Sequence, residues 1–229
     1  MPAAPFHLRP VATVAPRALL PGDPGRALAL AQVVLGDDRK MLNHHRGLWG
    51  YTGTASDGEL LSIQATGMGG PSAAIVLEEL AGLGVATMVR VGTARAVDPE
   101  LKLGELVAVT GVLAQDGVSS ALGFNGDGAP LRLEIVADAT DRAGLVASHD
   151  LLYAPDAEAR TAEWLAAGVL AADLETGALA TLANRHGIAF GAVVAIAVDA
   201  TGARLDDEQQ AAAGEAAGRA AAAALGLDG

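Results

Sequence analysis

Apolar residues in this chain fall into short, strand-length runs that alternate with stretches of helical periodicity. Arg17 to Leu20 predicts a strand that leads through Pro21, Gly22, Asp23, Pro24 and Gly25 into a helix from Arg26 to about Leu35. Leu48 to Thr54 and Glu59 to Thr66 predict two strands joined at Ser56, Asp57 and Gly58, where the Asp-Gly pair suits a hairpin turn. That pairing is antiparallel, so the sheet is expected to be mixed. Gly67, Met68, Gly69 and Gly70 precede a helix over Pro71 to Leu80, with proline near its first turn and Gly82 and Gly84 as stops. Ala86 to Val91 and Glu105 to Ala114 read as buried strands. Phe124 to Arg142 is ambiguous between strand and helix and stays unassigned. Thr161 to Ala167 and Asp173 to Arg185 predict helices, Ile188 to Val198 a buried strand, and Asp206 to Leu225 an alanine-rich terminal helix. The alternation predicts one α/β domain spanning residues 1–229.

Composition narrows the function classes. The 229 residues are half apolar, enough for one sizeable core. A net charge of −12, with 15 Lys and Arg against 27 Asp and Glu, opposes broad binding to nucleic acid or an anionic membrane, so a small-molecule partner is expected. The absence of cysteine excludes disulfides, thiolate metal sites and a cysteine nucleophile. The five histidines show no metal-binding spacing, and His44 and His45 would point to opposite sides of an extended segment, so no metal site is expected. Pro2, Pro5, Pro10 and Pro16 interrupt the N-terminal stretch, which lacks a secretory apolar run. Gly187 to Val198 is too short to span a bilayer, and a cytoplasmic location is expected.

Against this acidic background, three arginines stand beside glycines. Arg26 follows the Pro-Gly-Asp-Pro-Gly turn, Arg90 precedes Val91-Gly92-Thr93, and Arg46 precedes Gly47. Each alone reads as an ordinary ion-pair partner; together they form a candidate phosphate site. The glycine loop at Gly67 to Gly70 opens a helix, where backbone N–H groups can approach an anion, although many such turns contain glycine for packing alone.

Six segments in order carry a resemblance: PGDPGRA at 21–27, RGLWGYTG at 46–53, TGMGGPS at 66–72, RVGT at 90–93, SHDLLY at 148–153 and ADLETGALA at 172–180. They resemble the nucleoside phosphorylases of the family containing bacterial hexameric purine nucleoside phosphorylase and uridine phosphorylase. The resemblance implies a three-layer α/β/α sandwich around a twisted mixed sheet. It also implies a pentosyltransferase that converts nucleoside and inorganic phosphate into free base and pentose 1-phosphate. Phosphate is then a co-substrate and no further cofactor is expected.

In that reading Gly22, Arg26, Arg90 and Thr93 hold the phosphate, and a neighbouring subunit supplies Arg46. The expected assembly is a dimer at least, with hexamers usual. Glu175 would bind the ribose hydroxyls, and Met68 and Leu174 match positions that pack on the nucleoside. Thr93, Ala94, Arg95, Leu152 and Asp173 are placed around the same nucleoside, and His7 matches a histidine donated across the dimer. Asp199 matches an acid whose raised pKa would protonate a departing purine. Arg90, Glu175 and Asp199 are therefore the expected catalytic residues.

Some positions depart from the pattern. Arg95 replaces a glycine, Leu152 stands where an aromatic residue is common, and a helper arginine has no counterpart among Ala211, Ala212 and Ala213. The pieces GGPS, EELAGLG and AEWLAAGV resemble uridine phosphorylases, whereas Asp199 and the lack of a glutamine-arginine pair after Tyr153 favour purines. Uridine phosphorylase and a catalytically impaired nucleoside-binding homologue remain alternatives. A water-using nucleosidase is opposed by the complete arginine set.

Overall fold

The computed structural model describes residues 5–124 and 129–227. Strand β1 (Arg17–Pro21) feeds helix α1 (Pro24–Val34), which is followed by β2 (Lys40–Asn43), a 3₁₀ turn at His45–Gly47 and the hairpin β3 (Gly50–Thr54) and β4 (Leu60–Gln64). Helix α2 (Gly70–Gly82), β5 (Thr87–Ala96), β6 (Leu106–Ala114), the short α3 (Gly117–Ala121), β7 (Leu131–Arg132) and β8 (Arg142–Ser148) come next. The chain ends with α4 (Ala157–Ala166), β9 (Val169–Asp173), α5 (Thr176–His186), β10 (Ala189–Val198) and α6 (Asp207–Ala223).

All the strands join one mixed sheet. β1 lies between β4 and β5 in parallel, while β3 and β2 extend the edge antiparallel. β5 also pairs in parallel with β10 and, at its far end, antiparallel with β9. β10 pairs with β6, β6 with β8, and β8 with β9, so this half of the sheet closes on itself. Closure removes two exposed edges. β1 and its neighbours form the open half.

Alternate residues along the central strands face different helix layers, as period-two geometry requires. Ala18, Leu20, Met88 and Val194 pack with α2 and α5, whereas Leu19, Val89, Val91 and Val193 pack with α1 and α6. The result is the expected three-layer α/β/α arrangement. Trp164 of α4 packs separately with Val169 and Ala172 of β9.

Three differences from the sequence reading affect the site. β5 runs to Ala96, beyond the expected end at Val91, because β9 and β10 both pair with its far end. β8 and β9 are strands although alanine and glycine dilute their apolar pattern. Asp173 closes β9 rather than opening a helix: its carboxylate accepts the Thr176 N–H and caps α5, which starts at Thr176. Among the described residues, no helix is long and apolar enough to cross a membrane.

Candidate active site

The carboxyl ends of parallel strands are natural binding positions because the loops leaving them diverge. Here the loops after β1, β4 and β9 meet β5 around a cavity of about 650 Å³. Two backbone bonds hold the first two loops together, Thr66 N–H to Pro21 O at 2.9 Å and Gly67 N–H to Gly22 O at 3.0 Å. A Cβ on Gly22 would sit 3.3 Å from the Gly67 carbonyl oxygen, so a side chain would crowd this junction. Asp23 caps α1 by accepting the Arg26 N–H at 2.7 Å, with proline in the first turn. The N-terminal turn of α1 consequently borders the cavity through Asp23, Pro24, Gly25 and Arg26.

Arg90 lies on the cavity floor and is only 2% exposed. Its Nη2 meets Glu175 Oε2 at 2.6 Å and Asp173 Oδ2 at 3.0 Å, while Nε donates to Asp173 at 3.1 Å and Thr176 Oγ1 at 3.0 Å. Burial acts most strongly and disfavours the cation, but Glu175 and Asp173 together outweigh it and raise the pKa above the ordinary arginine value. Its Nη1 is buried without a hydrogen-bond partner among the described residues. An unfilled donor on a fully buried guanidinium points to an acceptor that the chain itself does not supply.

Arg26 provides a second unfilled cation. Its guanidinium makes one 3.3 Å bond to the Val91 carbonyl and has no carboxylate within ion-pairing distance among the described residues. Burial and then the nearby Arg90 hold its pKa below the usual value, against opposing pulls from Asp23 and Glu175. Two desolvated guanidiniums that repel each other across one cavity suit an anion between them.

Glu175 also lines the cavity. Oε1 accepts the Gly69 N–H at 2.6 Å and Oε2 accepts from Arg90, so the carboxylate is fixed yet retains acceptor capacity. Gly69 adopts φ 84°, a left-handed conformation that suits glycine and lets its N–H reach Glu175. Met68 is 90% exposed and projects from this loop at the cavity wall, while Gly22 and Thr93 complete the lining.

Other expected positions lie differently. Asp173 is turned away from the cavity, with its oxygens engaged by Arg90, Thr176 and the Ser148 hydroxyl, so it supports Arg90 instead of contacting a ligand. The Ala94 side chain packs in the α2 and α5 core. Arg95 reaches α4, donating to Thr161 Oγ1 at 2.6 Å, and does not line the cavity. Leu152 is 62% exposed in the loop before α4, and Leu174 is half-buried; neither lines the cavity. His7 and Arg46 do not line the cavity, and Arg46 is exposed.

The expectation for Asp199 needs correction. The Thr201 hydroxyl lowers its pKa most; burial opposes this, while the Ala203, Thr201 and Gly202 N–H groups also favour the anion. Oδ1 accepts from Thr201 Oγ1 at 2.7 Å and from the Thr201 and Ala203 N–H groups at 2.9 Å each. Asp199 is therefore an ionised turn former in this structure, without the raised pKa expected of a buried acid. Sequence reasoning also missed Asp207 and Gln210 on the first turn of α6, which line the cavity together with Arg26. The capping box of Asp206 and Gln209 marks that helix start.

Comparison with known proteins agrees with this architecture. A family model described as the phosphorylase superfamily matches residues 16–227. A DeoD-type purine nucleoside phosphorylase from Caldanaerobacter subterraneus subsp. tengcongensis is 35% identical over 187 residues, covering 76% of this chain and 79% of that protein. Uridine phosphorylase from Escherichia coli is 31% identical over 212 residues, covering 80% of each. The crystal structure of uridine phosphorylase from Vibrio fischeri superposes with a TM-score of 0.80 at 25% identity, covering 93% of this chain and 92% of that one. With its overall fold and nearly its whole length in agreement, the chain belongs to the phosphorylase superfamily.

Proposed function

We propose that this protein is a nucleoside phosphorylase that transfers a pentosyl group from a nucleoside to inorganic phosphate, with purine nucleosides favoured. The observation that carries the reading is the unfilled Arg90 Nη1 on the floor of a cavity whose other guanidinium, Arg26, lacks a carboxylate partner. Phosphate bound between them, with Gly22 and Thr93 beside it, presents an oxygen to the anomeric carbon. The new C1′–O bond forms as the C1′–N bond breaks, and the base leaves with the bonding electrons and takes up a proton. Holding the nucleophile in place removes much of the entropic cost of encounter. Its negative charge stabilises the cationic sugar of the transition state.

Glu175 accepts hydrogen bonds from the ribose hydroxyls, and Met68 covers the sugar. Phosphate is the co-substrate, so the chemistry requires no other cofactor. His7 and Arg46 are supplied by a partner subunit, which makes the working unit a dimer at least, assembled into a hexamer in a cytoplasmic enzyme. Their position outside their own cavity supports this arrangement.

The uridine phosphorylase reading is favoured by one observation: Asp199 is ionised and holds no proton for a purine N7. The higher identities of the purine relatives favour the first reading. Steady-state cleavage of inosine, adenosine, guanosine and uridine, with and without phosphate, separates them. Phosphate-dependent cleavage with a purine preference is expected. Turnover independent of phosphate would remove the phosphorolytic reading, and nucleoside binding without turnover in calorimetry would leave a binding protein.

A further inference from the structure

Arg46 is the one non-glycine residue with positive φ among the described residues, at φ 60° and ψ 18°. Gly47 follows at φ 72°. A side chain disfavours that backbone conformation, so something must hold the turn. The turn's own backbone bonds are long: Gly47 N–H to His44 O at 3.4 Å and Leu48 N–H to His45 O at 3.2 Å. The Arg46 side chain itself makes no hydrogen bond or ion pair among the described residues.

The holding group is Asn43, an amide at the end of β2 that is only 1% exposed. Nδ2 donates to Leu48 O at 2.5 Å and, more weakly, to His45 O at 3.4 Å. Oδ1 accepts the His45 N–H at 3.4 Å and the Arg9 N–H at 3.0 Å. One buried side chain therefore joins both flanks of the Arg46 turn to the N-terminal segment. Gln64 Nε2 shares the Leu48 carbonyl at 2.9 Å, and His45 Nδ1 donates to His7 O at 2.9 Å. The carboxylate of Glu79 accepts the Phe6, His7 and Leu8 N–H groups and fixes the other end of this assembly. His7 and Arg46 thus stand on one cross-linked platform.

We propose that Asn43 is a positioning residue that fixes Arg46 in its left-handed turn, so that the guanidinium is delivered ready-formed to the phosphate of a partner subunit. The inference rests on the proposed function, in which Arg46 acts across the subunit boundary. A buried amide whose hydrogen bonds serve the backbone around one exposed arginine is explained by that task, because the turn lacks a stabilising contact from Arg46 itself. Without Asn43 the turn relaxes and the guanidinium must be ordered at each binding event.

The test uses the full-length protein, varying inorganic phosphate against inosine or uridine, whichever is cleaved. Asn43→Ala is expected to raise the phosphate KM by roughly tenfold while the nucleoside KM stays within about twofold. In an Arg46→Ala background the same substitution should change the phosphate KM by less than about twofold, because the guanidinium it positions is gone. A general structural defect would persist in that background and would overturn the proposal. So would an unchanged phosphate KM in Asn43→Ala when Arg46→Ala raises it. If Arg46→Ala itself leaves the phosphate KM unchanged, the cross-subunit role fails at its root.

Asn43→Asp keeps the shape and the Oδ1 acceptor but loses the donor to Leu48. It is expected to raise the phosphate KM in the same way, and it decides the matter if Asn43→Ala does not fold. Failure of both variants to fold would make Asn43 a determinant of the fold and would also overturn the proposal.

Discussion

Replacing Arg26 with methionine separates anion binding from stability. Methionine keeps an unbranched stem against α6, where a Cβ on Gly214 would approach Arg26 Nε to 2.7 Å, and removes only the charged head. The folded protein loses one 3.3 Å bond to Val91 O and no ion pair, and it is relieved of a desolvated cation beside Arg90. The thermal midpoint of the free protein is therefore expected to stay within about 2 °C of the parent or to rise. Phosphate binding should suffer: hydrogen bonds to a charged group contribute about 1.5–3 kcal/mol, which raises the phosphate KM roughly 10- to 150-fold.

Thermal unfolding with phosphate gives an independent reading. At a hundred times its Kd, a ligand stabilises by about 2.7 kcal/mol, roughly 5–11 °C for a domain of this size. A variant with a fifty-fold weaker site, at the same phosphate concentration, gains only about 1–3 °C. The assays are initial rates at varied phosphate and melting curves with and without phosphate. A variant that keeps both the parental phosphate KM and the full phosphate-induced gain would refute the assignment of Arg26 to the anion.

Gly92→Ala places a Cβ 2.8 Å from Arg90 Nη2 and 2.9 Å from Cζ, against a guanidinium pinned by Asp173, Glu175 and Thr176. Overpacking of about 1–3 kcal/mol predicts a melting temperature roughly 2–12 °C lower, with phosphorolysis reduced in parallel; an unchanged melt would contradict it. Asp199→Asn retains an oxygen for the Thr201 and Ala203 donors, and an ionised turn former has no proton to give, so stability should hold and purine and uridine turnover should each stay within about threefold of the parent. A loss of purine turnover alone would return Asp199 to the role of acid. His149 is held below its ordinary value of 6.5 by burial first, then by Arg160 and Arg95, against Asp173 and Asp150. Just below 6.5 the unfolded chain binds more protons than the folded one, so stability falls as pH drops toward the depressed folded value. His149→Gln should flatten the melting temperature between about pH 7 and 5, and an unaltered slope would remove this contribution.

What could be read from the sequence followed from how local each signal is. The Pro-Gly-Asp-Pro-Gly turn and the Gly-Met-Gly-Gly loop encode their own geometry, so the helix starts bordering the cavity were legible with Gly22, Arg26 and Met68. Arg90 was legible as a cation beside Gly92, but its neutralisation by Asp173 and Glu175 lies more than eighty residues away. Of those two acids, only Glu175 faces the cavity. The difference arises because Asp173 ends β9 and turns back to cap α5, while the strand itself was hidden by alanines that equally suit a helix. Arg95 reaches Thr161 across 66 positions, a contact no local pattern encodes. Asp199 carried two local meanings, acid and turn opener, and the surrounding N–H groups stabilise the second.

Charge explains why such a site would draw on a second subunit. Arg90 on the floor of the cavity is paired with Glu175 and, from behind, with Asp173, while Asp23 and Asp207 at the rim add negative charge. A lone protomer therefore offers phosphate good donors within an unfavourable field, on a chain that already carries −12. The positive end of the α1 dipole offsets part of that field. A third guanidinium near the anion would offset that field, but one fixed on the same protomer would repel Arg26 and Arg90 whenever the site stood empty. If Arg46 comes from a partner, as proposed, the subunit interface would bear that repulsion. Under that proposal anion affinity would be a property of the assembled protein, and a loosened Arg46 turn would act on phosphate rather than on the fold.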